Sequence, residues 1–128
     1  HMPLTDDTRN LVDAAFLAAM KPAGYLINVS RGGLVDPRAL RDALESGRLA
    51  GAALDVLDEE PPPADHPLSG APRLTVTPHI GYQSRQTELE YVRVQAQEAV
   101  NFLLHGAPDH PVNAPAPAPH HLSRKARP

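Results

Sequence analysis

The sequence predicts an α/β fold: half of a doubly wound parallel sheet, about three strands with flanking helices, followed by a long C-terminal helix. Short, almost wholly apolar runs of strand length alternate with helical patterns that carry N-terminal caps, the arrangement expected of parallel strands joined by crossovers. Each apolar run leads into a loop rich in glycine and polar residues. The final stretch repeats its apolar positions at helical spacing.

Asp13, followed by Ala14 to Met20, predicts a capped helix that Pro22 stops and Gly24 releases. Tyr25 to Val29 has the length of a strand. Asp36-Pro37 supplies a cap and a first-turn proline for the next helix, with Leu40 and Leu44 as its buried stripe and Gly47 as its end. Leu49 to Val56 and Arg73 to Thr77 follow as further strands, and runs this apolar predict a sheet covered on both faces. About Gln83 to His105 forms a long amphipathic helix closed by Gly106, with Leu89, Val92, Ala96, Ala99, Val100, Leu103 and Leu104 at helical spacing. No internal repeat is present.

With 128 residues the chain has room for one core. An apolar content of 41% and a charged content of 21% place it among ordinary globular proteins. A net charge of -3 supplies no basic footprint, so small molecules rather than nucleic acid are the expected partners. No apolar run is long enough to span a bilayer and no signal-peptide pattern opens the chain, which predicts a cytoplasmic protein without a membrane partner. The absence of cysteine removes disulfides and thiolate chemistry and fits a reducing compartment. Residues 1–2 read as a tag remnant, 3–113 as the ordered body, and 114–128 as a disordered, basic tail rich in Pro and Ala.

Ligands of an open parallel sheet bind beyond the carboxyl ends of its strands. The first predicted strand leads to Asn28-Val29-Ser30-Arg31-Gly32-Gly33, the second to Asp55-Val56-Leu57-Asp58-Glu59-Glu60-Pro61, and the third to Thr77-Pro78-His79-Ile80-Gly81. Each strand thus delivers an ionisable residue to one edge. An arginine, a carboxylate and a histidine suit carbonyl reduction: a planar cation for a substrate carboxylate, a proton donor, and an acid that orients the donor. Blander readings exist for each. Arg31 could form a surface ion pair, His79 could be a hydrogen-bonded structural histidine, and Glu60 could belong to a solvated run with Asp58 and Glu59. Gly32-Gly33 lacks the spacing of a phosphate loop and reads as turn geometry. The seven histidines include no pair with ligand spacing on a helix, so no metal site is predicted.

Asn-x-x-Arg-Gly-Gly-Leu-Val-Asp, Gly-x-Ala-Leu-Asp-Val-x-x-x-Glu-Pro and Thr-Pro-His-Ile-Gly, in this order and at these intervals, resemble the motifs of NAD-dependent D-2-hydroxyacid dehydrogenases. The resemblance runs from Pro3-Leu4-Thr5 to Val112-Asn113 and covers the C-terminal half of the family's NAD-binding domain, a partial Rossmann fold. It implies that Arg31 clamps the carboxylate of a 2-keto or 2-hydroxy acid with a fork that lysine lacks. It implies that His79 is the acid/base and that Glu60 orients its ring and stabilises the imidazolium. Arg31 and His79 would also border the cofactor together with Ser30. Asp55 would accept from the nicotinamide amide, Val29 would offer its carbonyl to the same group, Gly81 would admit close backbone approach, and Leu4 and Thr5 would border the adenine side. NAD is the implied cofactor, with NADP left open because the residue that selects between them falls elsewhere in the family's domain.

The family's Gly-x-Gly-x-x-Gly loop has no counterpart among the eight glycines. The expectation is a truncated portion of an oxidoreductase, inactive alone, whose first strand offers a free edge for a homodimer or higher self-association. The alternative is a stand-alone, non-catalytic association module that keeps the half-Rossmann fold.

Overall fold

The structure, a computed structural model, describes residues 2–112. His1, Asn113 and the tail predicted over 114–128 lie outside the described residues. The chain divides into two units, His1–Gly81 and Tyr82–Pro128.

The first unit contains α1 (Ala14–Ala19), β1 (Gly24–Asn28), α2 (Pro37–Glu45), β2 (Leu49–Leu54) and β3 (Leu74–Val76), with a 3-10 turn at Gly32–Leu34. Its strands form one parallel sheet in the order β1-β2-β3. The open α/β sheet predicted from the sequence is therefore the one observed, with element boundaries within two residues of those expected.

Local chemistry accounts for the helices. The Asp13 carboxylate accepts the Phe16 amide at 2.8 Å, and the Asp36 carboxylate accepts those of Arg38 and Ala39 at 2.9 and 3.1 Å. Both satisfy amides that a helix start leaves without partners, and Pro37 occupies a position where no amide is needed. At the opposite ends, Arg48 donates to the Ala18 and Met20 carbonyls and Arg73 to that of Leu44. Guanidinium groups thus complete both helix C-termini.

Register fixes which face of the sheet is buried. Leu26, Ala52 and Leu74 align across the three strands, as do Asn28, Leu54 and Val76, while Tyr25 aligns with Gly51, and Ile27 with Ala53 and Thr75. Of the first set, Leu26, Ala52, Leu54 and Leu74 face a core built on Leu17, Leu40, Leu44 and Leu49, all fully buried, whereas Val76 at the sheet edge is 45% exposed. The second set is open: Tyr25 and Ile27 are each 70% exposed. Coverage of both faces, expected from the apolar runs, therefore holds for one face only. Both α1 and α2 contribute to the same core, and small residues in β2 make the opposite face look apolar in sequence without demanding a cover.

The second unit is built on α3 (Arg85–His105), which Ser84 caps by accepting the Thr87 amide at 3.1 Å and Gly106 ends at φ 78°. The left-handed conformation there favours glycine. The predicted stripe stays exposed at Leu89, Val92, Leu103 and Leu104, and among the helix residues only Asn101 is buried. No helix among the described residues is long and apolar enough to cross a membrane.

The segment after Gly106 folds back onto α3. Glu98 accepts the Asp109 amide at 2.7 Å and pairs with His110 Nδ1 at 2.7 Å, while Asn101 donates to Asp109 at 2.6 Å. The His110 ring holds the Glu98 carboxyl below its ordinary range, and Glu98 in turn holds the His110 ring above its own. The signs define a window. Stabilisation from Glu98 is lost as pH falls through its depressed value, and that from His110 is lost as pH rises through its raised one. Amide exchange at Asp109 is expected to be slowest between the two and faster on either side; a profile that is featureless apart from the intrinsic exchange rate would contradict the pairing.

Candidate functional site

Because all three strands are parallel, the loops that follow them share one edge. After β1, the buried Asn28 closes its own loop: its amide donates to the Arg31 carbonyl at 2.9 Å and its oxygen accepts the Ser30 amide at 3.0 Å. Arg31 is displayed on that loop, exposed, with Nη1 donating to the Ser30 carbonyl at 2.8 Å.

Gly32 opens the 3-10 turn, as the turn reading expects, and has a second role. It carries no positive φ; instead, a Cβ there would fall 1.9 Å from the Leu57 carbonyl carbon and 2.4 Å from the Asp58 nitrogen. Close backbone contact between the loops after β1 and β2 is what requires glycine. At Gly33 the same test meets the Leu4 side chain at 2.9 Å.

After β2, the Asp55 carboxylate accepts the Thr77 hydroxyl and the Ile80 amide on Oδ1 and the Gly81 amide at 2.7 Å on Oδ2. These bonds, the Thr77 hydroxyl foremost, outweigh burial and hold the Asp55 carboxyl below its ordinary range. A side chain at Gly81 would meet Asp55 Oδ2 at 2.8 Å, so the turn closes on the carboxylate only because the residue is glycine.

Glu60 lies on the same loop. Its Oε1 accepts the Leu57 amide and its Oε2 pairs with His79 Nδ1, both at 2.7 Å. The Leu57 amide first and the His79 ring second keep the Glu60 carboxyl below its usual range. His79 sits after β3 in the left-handed region, φ 54°, with its amide bonded to the Thr77 carbonyl at 2.9 Å. Non-glycine residues held there cost of order 1–3 kcal/mol and cluster at functional sites.

A cavity of about 260 Å³ is lined by Leu4, Arg9, Arg31, Gly32, Gly33, Val56, Leu57, Asp58, Glu60 and His79. A second, of about 410 Å³, is lined by Leu57, Glu60, Pro61, Pro62, Val76, Thr77, Pro78 and His79. The Glu60–His79 pair borders both. Of the residues singled out in the sequence, Leu4, Arg31, Glu60 and His79 converge on one cavity; Asp55 and Gly81 brace the turn that carries His79. Thr5, Val29 and Ser30 do not line either cavity. Thr5 bonds to Thr8 Oγ1, and the Ser30 hydroxyl is bonded to the Met2 backbone at 2.9 and 3.1 Å. Three further residues contribute, of which only Thr77 stands in one of the sequence motifs. Arg9 brings a second guanidinium to the Arg31 cavity, Thr77 anchors Asp55, and the buried His66 pairs with Asp58. For the other two, an arginine close to Leu4-Thr5 and a histidine beside Pro67-Leu68 are the only signals, and neither has a distinctive spacing. Among the described residues no cluster of three metal-ligating side chains occurs.

The model of the family described as D-isomer specific 2-hydroxyacid dehydrogenase, NAD binding domain, matches residues 1–81. Over 80 residues the chain is 54% identical to an (S)-sulfolactate dehydrogenase of Chromohalobacter salexigens, covering 62% of this chain and 26% of that one. It is 40% identical over 113 residues to a glyoxylate reductase of Aeropyrum pernix, covering 88% and 34% respectively. Among solved structures, a protein from Thermus thermophilus aligns with a TM-score of 0.81 at 42% identity, over 88% of this chain and 36% of that one. The chain thus spans about a quarter to a third of the length of these curated relatives. A match over most of the chain, joined to a parallel open sheet, shows that it belongs to the enzyme family of D-isomer specific 2-hydroxyacid dehydrogenases, within their NAD-binding domain.

Proposed function

We propose that this chain is the catalytic edge of an oxidoreductase that interconverts 2-keto and D-2-hydroxy acids with NAD(H). The observation that carries this reading is the Glu60–His79 pair, 2.7 Å long, opening on the same cavity as Arg31. In it the Arg31 guanidinium holds the substrate carboxylate through two parallel N–H bonds and so sets the carbonyl beside His79. Glu60, ionised near neutral pH, accepts from Nδ1 and fixes the ring so that Nε2 exchanges the proton with the substrate oxygen. Proton transfer runs toward the oxygen in reduction and back to the ring in oxidation.

The residues present fit the nicotinamide end of a dinucleotide. Leu4 packed on Gly33 walls the Arg31 cavity, and the missing side chain at Gly81 lets its backbone close on the Asp55 carboxylate. Leu4, Thr5, Val29, Ser30, Arg31, Asp55, His79 and Gly81 are the residues proposed to border it. Asp55 would reach an amide only through lone pairs left after its three internal bonds. When bound, NAD supplies or accepts the hydride.

The second reading, an association module, is favoured by the open sheet face at Tyr25 and Ile27 and by the unpaired edge of β1 among the described residues. Both readings are compatible with a cytoplasmic protein that pairs with a second copy of itself. Titration with oxalate, a dicarboxylate mimic of a 2-keto acid, separates them when followed by NMR on the side chains. The catalytic reading expects saturable shifts at Arg31 and His79, weakened at least tenfold in Arg31→Lys. Unmoved resonances at both residues would overturn it. An assay of NADH oxidation with glyoxylate and hydroxypyruvate then tests turnover, which His79→Ala should lower by about 10²–10⁴ wherever it is found.

A further inference from the structure

We infer that His66 is a positioning residue of the site: by holding Asp58, it latches the 57–60 loop so that Glu60 stays on His79. The inference rests on the reading of Glu60 and His79 as a working pair.

His66 is 6% exposed, and both its ring nitrogens are engaged. Nδ1 accepts the Leu68 amide at 3.2 Å, which places the proton of the neutral ring on Nε2, and Nε2 lies 2.9 Å from Asp58 Oδ1. The backbone around the ring is closed as well: the His66 amide donates to the Pro63 carbonyl at 3.0 Å, and its carbonyl accepts the Ser69 amide at 2.8 Å. Residues 63–69 therefore form a block wound about a fixed imidazole, and Asp58 is where the site loop is tied to it.

What is tied matters for the chemistry. Only Glu59 separates Asp58 from Glu60, and the Leu57 amide on the other side of Asp58 holds Glu60 Oε1. A shift of Asp58 would move both the carboxylate and the donor that orients it. Contact with Gly32 restrains the same peptide from the β1 loop but supplies no bond. A merely structural histidine would need neither an exposed carboxylate partner nor one inside this loop. Asp58 is exposed, so its pairing buries little and is explained better by placement than by core stability.

The test is the titration of the Glu60 side-chain carboxyl, followed by carbon NMR in the full chain, with amide spectra of β1 and β2 to confirm folding. Asp58→Ala is the primary variant because its side chain is exposed. Removal of a neighbouring negative charge would by itself push Glu60 further down. If the latch holds, Glu60 instead rises toward an ordinary glutamate and the low-field Nδ1 proton signal of His79 weakens. His66→Gln, which keeps an acceptor and a donor, should leave both readouts as in the wild type. A Glu60 titration in Asp58→Ala that is unchanged or lower overturns the latch. His79→Gln is the control for the pair itself: if it leaves Glu60 unmoved, the pair and the proposed function fall together. If it moves Glu60 while Asp58→Ala does not, only the latch fails.

Discussion

Gly32→Ala is expected to destabilise the first unit by about 3 kcal/mol or more and to separate Glu60 from His79. Overpacking costs roughly 1–3 kcal/mol where a flexible side chain can yield. Here the obstacle is peptide backbone, 1.9 Å from the new Cβ, and the peptide belongs to the loop that carries Glu60. The chain must either strain at β1 or push residues 57–58 away. Urea denaturation measures the first consequence, and the Glu60 titration measures the second. Gly47→Ala is the comparison, since that position has a φ of 74° and open space around it. Its cost is conformational alone, about 1–2 kcal/mol, with Glu60 unaffected. Equal behaviour of the two variants would contradict close contact between the loops.

Leu44→Ala is expected to cost about 2–5 kcal/mol, because the side chain is wholly buried between α2 and the sheet and its removal leaves a cavity. Small domains are stable by only about 5–15 kcal/mol, so this one change removes a large share. Ile27→Ala, on the open face, should stay within about 0.5 kcal/mol under dilute conditions. The contrast is measurable by thermal or urea unfolding. A loss at Ile27 that grows with protein concentration would instead register self-association through that face. A small loss at Leu44 would mean that the core is looser than its burial implies.

Much of the architecture was legible because its causes are local. The aspartates at positions 13 and 36 stand three residues or fewer from the amides they accept, Pro37 marks a helix start, and Gly106 marks a helix end. Apolar runs flanked by such signals leave few alternatives to parallel strands. Parallel strands in turn send Arg31, Glu60 and His79 to one edge, so the candidate site is legible from the order of the motifs.

Other features depend on which segments meet, and no short window records that. Gly32 looks like a turn residue until Leu57 is placed against it. His66 looks unremarkable beside Pro67 until its ring is seen between Asp58 and Leu68. Asp55 spends its oxygens on residues 22 to 26 positions away. The apolar runs of β1 and β2 could not say that only one face of their sheet would be covered, since a small or aromatic residue carries the same hydrophobic label on either side.

Sequence alone thus determined the element order, the parallel sheet and the identity of the residues delivered to its carboxyl edge, because caps, breakers and hydrophobic period act within a few residues. Tertiary structure alone decided the close contact at Gly32, the Asp58–His66 tie and the open face at Tyr25 and Ile27, because each is a meeting of segments that lie far apart along the chain.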